Sequence, residues 1–175
     1  MIMTYVMSDL HGYPIEKLKM LLKKANFVKD DFLYILGDVI DRNGDGGVGI
    51  LRWLLSKSNV QLILGNHEAM LLSCEFLFDE ITDDSIADFD SEKIEILSNY
   101  QLNGGDVTLK SLSKLNKESP ETVADILDYL RDCPLYETVT AGEKDYFLCH
   151  SGIDEFEKGK KNQRLSCRRF YLGLA

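Results

Sequence analysis

The amino-acid sequence predicts an α/β fold, in which short buried strands alternate with amphipathic helices. Hydrophobic runs too short for helices alternate with helical patterns, and a cluster of polar residues follows each run. The composition, 45% hydrophobic and 28% charged over 175 residues, is typical of a globular protein. That length accommodates one compact domain.

Short hydrophobic runs predict the strands. They are Ile2–Met7, Phe32–Leu36, Val60–Leu64 and Tyr146–Cys149. Helical patterns over residues 14–25 and 48–57 separate the first three runs, and Pro14 is the expected first helical position. This alternation predicts parallel strand pairing with right-handed crossovers.

The stretch from about residue 68 to 132 lacks a strand pattern and is predicted to be a helical insertion between the third and fourth strands. One of its helices is expected to start at Ser119, as the cap, with Pro120 at the first helical position. The Cys133–Pro134 step should end that helix.

The C-terminal residues 157–175 differ in charge from the rest of the chain. They hold six basic residues and one acid, a net charge of +5, whereas the whole chain has −9. We therefore predict a domain over 1–156 that is incomplete at its C-terminus, followed by a basic tail over 157–175. The charge shift favours a truncated or frame-shifted chain over a natural short variant with a repurposed tail.

Composition excludes several classes of protein. No apolar run is long enough for a membrane helix, and the N-terminus lacks the basic region of a signal peptide, so a cytoplasmic protein is expected. The net charge of −9 disfavours nucleic-acid binding. The four cysteines have no CxxC spacing and are expected to be reduced, buried thiols.

Polar clusters follow the predicted strands at Ser8–Gly12, Gly37–Arg42, Gly65–Glu68 and His150–Gly152. In an open α/β sheet such strand ends converge on one edge, where ligands bind. All three histidines of the chain lie in these clusters, beside Asp and Asn. This donor set suits Mn²⁺, Fe or Zn²⁺. Asp9 and His11 are two residues apart, so an extended segment would point both at one ion.

The motifs DLHG, GDVIDR, GNHE and HSG resemble those of the calcineurin-like metallophosphoesterases, and the Asp-Arg and Glu positions resemble the phosphoprotein-phosphatase branch. Residues 103–108 resemble the NGG-x-x-T segment of its bacterial members, the serine/threonine phosphatases and symmetrical diadenosine-tetraphosphate hydrolases. The resemblance covers residues 1 to about 154. It implies an αββα sandwich of two mixed β-sheets flanked by helices, with the second sheet shortened.

The resemblance also implies a binuclear metal site. Asp9 and His11 would bind the first ion, Asp38 would bridge both, and Asn66 and His150 would bind the second. A metal-bridging hydroxide would attack the phosphorus atom of a phosphoprotein, nucleotide or dinucleoside polyphosphate in line. Mn²⁺ is the expected metal, with Fe, Zn²⁺ or Mg²⁺ as alternatives.

Three further residues are candidates for catalysis by the same resemblance. His67 would be the general acid that protonates the leaving group, Asp41 would orient it, and Arg42 would hold the phosphate. The alternatives are a helix N-cap for Asp41 and a surface salt bridge for Arg42. Glu68 is expected to be a structural acid at a helix start. Cys149 should point into the core, away from His150, and is not expected to be a nucleophile.

The sequence departs from the family pattern in three places. First, Asn43 stands where the family usually has Gly, and we expect it to tolerate a left-handed backbone conformation. Second, no histidine follows His150. Third, the last strands of the family's second sheet and its second phosphate-binding arginine are missing. The second metal site is therefore expected to be weak, and the incomplete sheet favours oligomerisation. A degenerate, one-metal binding or regulatory protein is the main alternative, and a nuclease of the superfamily is a weaker one.

Overall fold

The computed structural model describes residues 2–79 and 90–151. Five strands and six α-helices lie in this part of the chain, with a short 3₁₀ turn at Glu75–Phe78. In chain order they are β1 Thr4–Ser8, α1 Ile15–Lys24, β2 Phe32–Leu36, α2 Val48–Leu54, β3 Val60–Ile63, α3 Asn66–Ser73, α4 Ser91–Leu102, α5 Asp106–Glu118, α6 Pro120–Asp132, β4 Tyr136–Ala141 and β5 Lys144–Cys149. Among these helices, none is long and apolar enough to cross a bilayer.

Strands β1, β2 and β3 form a parallel sheet in that order, as the alternation of strands and helices predicts. The alternate residues Leu33 and Ile35 of β2 are fully buried, because they face the helices that cover the sheet. Burial of each such side chain contributes about 2 kcal/mol. The first strand begins at Thr4 and continues to Ser8, two residues later than Ile2 predicts.

Strands β4 and β5 form a separate antiparallel hairpin, in which Tyr136 pairs with Cys149 and Ala141 with Lys144. The first of these strands is absent from the prediction, because its side chains are only partly covered and give no apolar run. The α/β fold with a second, short sheet is confirmed. Among the described strands, however, one sheet is purely parallel and the other purely antiparallel, so neither is mixed.

The described parts of the stretch 68–132 contain helices and no strand, as predicted. Helix α6 begins after Ser119 with Pro120 at its first position and ends at Asp132, before Pro134. The Ser119 hydroxyl contacts Glu121 and Thr122 rather than capping a helix amide. Helix α1 begins at Ile15, so Pro14 precedes the first helical position instead of occupying it.

The cysteines within the described ranges are free thiols. Burial raises the pKa of Cys74 to about 11 and that of Cys133 to about 12, which makes both unreactive. Cys149 is half-buried rather than in the core, because it ends β5, and its thiol donates to the carbonyl of Ser151 at 3.0 Å. Burial raises its pKa too, which argues against a nucleophile. Cys167 lies outside the described residues.

Candidate metal centre

The loops after β1 and β2 are joined by backbone hydrogen bonds at the carboxyl edge of the parallel sheet. The amides of Asp9, His11 and Gly12 donate to the carbonyls of residues 37, 38 and 39, at 3.2, 2.9 and 2.9 Å. At Gly37 a Cβ atom would lie only 2.6 Å from Nδ1 of His150. Glycine is therefore needed where the loop after β5 approaches the sheet edge.

Several non-glycine residues of these loops have left-handed backbone conformations. The φ angles are 55° at Asp9, 39° at His11, 54° at Asp38, 73° at Asp41 and 67° at Arg42. Such conformations cost free energy and are concentrated at functional sites. The expectation of an extended Asp9–His11 segment is wrong, because both residues lie in a tight turn.

Two groups of potential metal ligands share the Asp38 carboxylate. One is His11–Asp38–His67 and the other is Asp9–Asp38–His150, and within each group the donor atoms lie within 4.8 Å of one another. Oδ2 of Asp38 lies 3.8 Å from Nε2 of His11 and 3.9 Å from Nε2 of His67, whereas Oδ1 lies 3.4 Å from Nε2 of His150. The two oxygens of one carboxylate therefore face two separate groups, as a bridge between two cations requires.

Each of the three imidazoles is oriented through its Nδ1 atom. His11 contacts the carbonyl of Ile40 at 3.0 Å, and His150 contacts the carbonyl of Leu36 at 2.8 Å. Nδ1 of His67 lies 2.6 Å from the carboxylate of Asp41. Each ring thus directs Nε2 towards Asp38, an arrangement that is typical of metal-binding histidines. The residues present fit a site for two divalent cations.

The group Asp9–Asp38–His150 includes Asn66, whose Oδ1 lies 3.0 Å from Nε2 of His150. The five predicted metal ligands therefore lie close together, and their division between two ions stays a prediction. Asp9 groups with His150 rather than with His11, and His67 groups with His11.

Electrostatics couple Asp38 to His150. Burial raises the pKa of Asp38, but the hydrogen bond from His150, the amide of His67 and the nearby imidazoles outweigh it and lower the pKa below its usual value. The hydrogen bond with Asp38 raises the pKa of His150 to about 9. A metal ion bound at Nε2 would take the place of that proton.

Asp41 lies at the centre of a fully buried hydrogen-bond network. Its Oδ2 accepts from Nδ1 of His67, while its Oδ1 accepts from the hydroxyls of Tyr100 and Thr108, both at 2.6 Å. Helix α2 starts after Gly47, so the alternative interpretation of Asp41 as its N-cap is wrong. The network fixes the position and tautomer of the His67 ring.

Arg42 contacts the edge of the His67 ring. Its guanidinium donates to Nε2 of His67 at 3.0 Å, so the proton of the neutral imidazole resides on Nδ1 and faces Asp41. Its amide donates to the carbonyl of Gly104 at 3.0 Å, so residues 103–108 support the GDVIDR loop. The side chain contacts an imidazole, not the surface carboxylate of the salt-bridge alternative.

Glu68 has a larger role than that of a helix-start acid. Its buried carboxylate accepts hydrogen bonds from the amides of Gly65 at 3.1 Å, Asp38 at 2.8 Å and Val39 at 2.8 Å. Burial and the Asp38 charge raise the pKa of Glu68, and hydrogen bonds from the amides of Asp38, Val39 and Glu68 itself oppose that rise. The side chain thus joins the β3–α3 turn to the loop that carries Asp38.

Sequence reasoning missed the supporting roles of Glu68, Tyr100 and Thr108. The NGG-x-x-T resemblance includes Thr108 but assigns it no function, and no local pattern distinguishes Tyr100. The interpretation of Asn43 is also corrected, because left-handed backbone occurs at Asp41 and Arg42 instead. The amide side chain of Asn43 donates to the carbonyl of His11 at 3.1 Å.

The model of the calcineurin-like phosphoesterase family matches residues 2–171. The chain belongs to that family. The match extends past residue 154, where the sequence motifs end, and includes most of the basic tail. The carboxylate and histidine groups at the sheet edge lie within the matched residues.

The curated relatives are similar to this chain over a limited stretch. A symmetrical bis(5'-nucleosyl)-tetraphosphatase of Buchnera aphidicola subsp. Acyrthosiphon pisum (strain Tuc7) is 40% identical over 72 residues, which are 40% of this chain and 26% of the relative. The enzyme of the same name from Salmonella newport (strain SL254) is 40% identical over 72 residues, which are 40% of this chain and 25% of the relative. The matched stretch thus spans about a quarter of the length of these relatives.

Proposed function

We propose that this chain hydrolyses phosphate esters with two divalent metal ions, held by Asp9, His11, Asp38, Asn66 and His150. The observation that carries the proposal is the Asp38 carboxylate, whose two oxygens face different histidine groups. Two bound cations would supply an activated water and offset the charge of the phosphate oxygens. Mn²⁺ suits this set of oxygen and imidazole donors, with Fe, Zn²⁺ or Mg²⁺ as alternatives.

In this proposal His67 donates a proton to the leaving group. Asp41 holds Nδ1 of the ring at 2.6 Å, so that Nε2 is the atom that delivers the proton. A protonated ring would be stabilised by the Asp41 carboxylate, which is fully buried and has no other cation against it in the described contacts. Asp41 is thus a positioning residue.

Arg42 must leave His67 before either side chain can act. The guanidinium donates to the same Nε2 atom that would deliver the proton, and His67 is only 1% exposed beneath it. A phosphate oxygen is a stronger acceptor for guanidinium than a neutral imidazole. Substrate binding would therefore transfer Arg42 to the phosphate and release Nε2 for proton transfer.

The proposed substrate class is the dinucleoside polyphosphates, with phosphoproteins as the second candidate. Support comes from the name of the relatives, symmetrical bis(5'-nucleosyl)-tetraphosphatases, which are about 40% identical over the matched stretch. That stretch is about a quarter of the length of each relative.

The test compares the chain with its Asp38→Asn variant on p-nitrophenyl phosphate, a phosphoserine peptide and diadenosine tetraphosphate, with and without Mn²⁺. We expect Mn²⁺-dependent turnover that falls about a hundredfold or more in the variant, because the bridge between the ions is lost. Turnover of equal rate in both proteins would contradict the proposal. Preference for the phosphopeptide would replace the proposed substrate class while keeping the chemistry.

A one-metal binding or regulatory protein is the second candidate. It is favoured by the openness of the Asp9–Asp38–His150 group, since Asp9 and the neighbouring Asn66 are exposed. Metal content after Mn²⁺ loading separates the two functions. One ion per chain without turnover would favour the second candidate, whereas two ions with turnover would exclude it.

A further inference from the structure

A cavity of about 530 Å³ lies away from the metal ligands, between the C-terminal end of α1, the α1–β2 connection and the end of α2. Among the described residues, four lysines and two aromatic side chains line it, and no carboxylate does. These six residues are Lys19, Lys23, Lys29, Lys57, Phe27 and Trp53.

The cavity and the metal ligands occupy opposite edges of the parallel sheet. Lys29 precedes β2 and Lys57 precedes β3, so the cavity lies at the amino ends of the strands. The metal ligands follow the carboxyl ends. A five-residue strand such as β2 separates the two edges by about 16 Å at the usual rise per residue. A ligand in the cavity is therefore distinct from one bound at Asp38.

The positive charge of the cavity is unusual for this protein. The chain has 29 acidic and 20 basic residues, yet the lining holds four lysines and no acid. Lys19 is partly neutralised by Glu16 at 2.8 Å, and Lys23 interacts favourably with the C-terminal end of the α1 dipole. Neither explanation applies to Lys29 and Lys57. Lysines that lie close together repel one another, and a bound anion would offset that repulsion.

Aromatic surface lies beside these ammonium groups. Nζ of Lys57 is 5.8 Å from the centroid of the Trp53 ring, and the half-buried Phe27 ring packs edge-on against Tyr5 at 5.5 Å. A planar ring that lines a cavity offers a stacking surface for a nucleobase. Lysine ammonium groups bind phosphate as point charges. The combination suits a ligand with a planar ring at one end and phosphates at the other.

We propose that this cavity binds a nucleoside phosphate at a site separate from the metal centre. Its volume lies within the range of small-molecule pockets. The inference goes beyond the proposed function, because it requires neither bound metal nor hydrolysis. A nucleotide at this edge would be a second ligand of the protein, not a substrate in position for reaction.

Trp53 is the only tryptophan of the chain, so its fluorescence reports directly on the cavity. Full-length protein is kept metal-free with a chelator and titrated with ADP, with excitation at the red edge of the indole band to avoid adenine absorption. Adenosine and inorganic pyrophosphate serve as partial probes. We expect a saturable change with ADP, and weaker binding of each partial probe. No saturable change up to millimolar ADP would overturn the proposal, and so would pyrophosphate that binds as tightly as ADP.

A charge-matched pair of variants locates the binding. Lys23→Gln with Lys29→Gln removes two cavity charges and leaves the Lys57–Trp53 contact intact, while Lys110→Gln with Lys114→Gln removes two exposed charges from α5. We expect the first pair to weaken ADP binding about tenfold and the second to leave it nearly unchanged. Equal weakening in both pairs would overturn the proposal, because it would indicate a general charge effect. Circular dichroism verifies that both proteins fold.

Discussion

The two ligand groups that share Asp38 differ in how the protein supports them. The His11–Asp38–His67 group is backed by a buried network, in which Asp41 holds His67 and receives the hydroxyls of Tyr100 and Thr108. The Asp9–Asp38–His150 group is more open. Asp9 and Asn66 are exposed, and its main orienting contact is that of His150 with the carbonyl of Leu36 at 2.8 Å.

This difference indicates which features of the centre are preorganised. A side chain held by several buried partners keeps its geometry without a metal ion, whereas an exposed carboxylate depends on the ion to order it. We therefore expect the buried His67 to keep its position in the metal-free protein, whereas bound metal would order the exposed Asp9 and Asn66. Selective disruption of each group tests that expectation.

The largest effect on metal content is expected from loss of the Asp38 carboxylate, which both ligand groups share. Asp38→Asn should remove nearly all bound Mn²⁺, since each group loses its common ligand, whereas His150→Ala should leave the His11 group occupied. Metal analysis by mass spectrometry after Mn²⁺ loading and dialysis measures both. If His150→Ala instead lost all of its metal, the two ligand groups would not bind their ions independently.

His67 decides whether the first group is a pure metal site or contains the general acid. If His67 donates a proton, His67→Asn keeps its metal and slows hydrolysis of an alkyl phosphate about 10²–10⁴-fold. The loss should be smaller for p-nitrophenyl phosphate, whose leaving group needs no proton. Asp41→Asn is the matched control and should show the same leaving-group dependence more weakly. Loss of metal in His67→Asn would instead make His67 a ligand beside His11.

The free energy of unfolding should depend on whether a buried supporting residue or an exposed ligand is altered. Glu68→Gln leaves buried amides of the Asp38 loop without a full carboxylate partner, and should lower the free energy of unfolding by about 3 kcal/mol. Asp9→Asn changes an exposed side chain and should alter it by less than about 0.5 kcal/mol. Urea unfolding of the metal-free proteins provides the comparison. Similar losses in both variants would contradict the supporting role of Glu68 in the loop that carries Asp38.

A smaller loss of stability than that of Glu68→Gln is expected from removal of one buried hydroxyl. Tyr100→Phe removes a donor to Asp41 but keeps the ring that packs beneath Gly105, so we expect a loss of about 1–1.5 kcal/mol in stability. Turnover should fall only a few fold, because Thr108 still donates to the same oxygen. As a control, Asn66→Ala alters an exposed side chain and should leave the free energy of unfolding nearly unchanged. If Tyr100→Phe left the free energy of unfolding unaltered, the hydroxyl of Thr108 alone would satisfy this oxygen of Asp41.

Local sequence patterns predict the parallel sheet and the meeting of Asp38 with Asn66. Parallel strands bring their carboxyl ends to one edge, so residues that follow β2 and β3 meet there whatever the details of packing. His150 follows β5 of the separate antiparallel hairpin, so this rule does not account for its position. The left-handed backbone at residues 9 and 11 is not predictable in this way either, because neither residue type requires it.

Long-range contacts explain why the sequence does not predict the roles of Tyr100 and Glu68. The Tyr100 hydroxyl reaches Asp41 across 59 positions of sequence, and nothing in the surrounding helix distinguishes it from an ordinary core tyrosine. Glu68 looked like a helix-start acid because one of its partners is the nearby amide of Gly65, while its partners at residues 38 and 39 come from another loop. Strand β4 was missed because exposure on both faces leaves no apolar alternation.

The left-handed conformation of Arg42 has a consequence for directed evolution of this protein. Glycine at that position would relieve backbone strain of about 1–2 kcal/mol, so a library screened only for heat resistance should enrich Arg42→Gly. Such a survivor would be more robust and would lack the guanidinium that the proposed chemistry needs. Rounds of selection for thermal tolerance must therefore alternate with selection for turnover if the site is to persist.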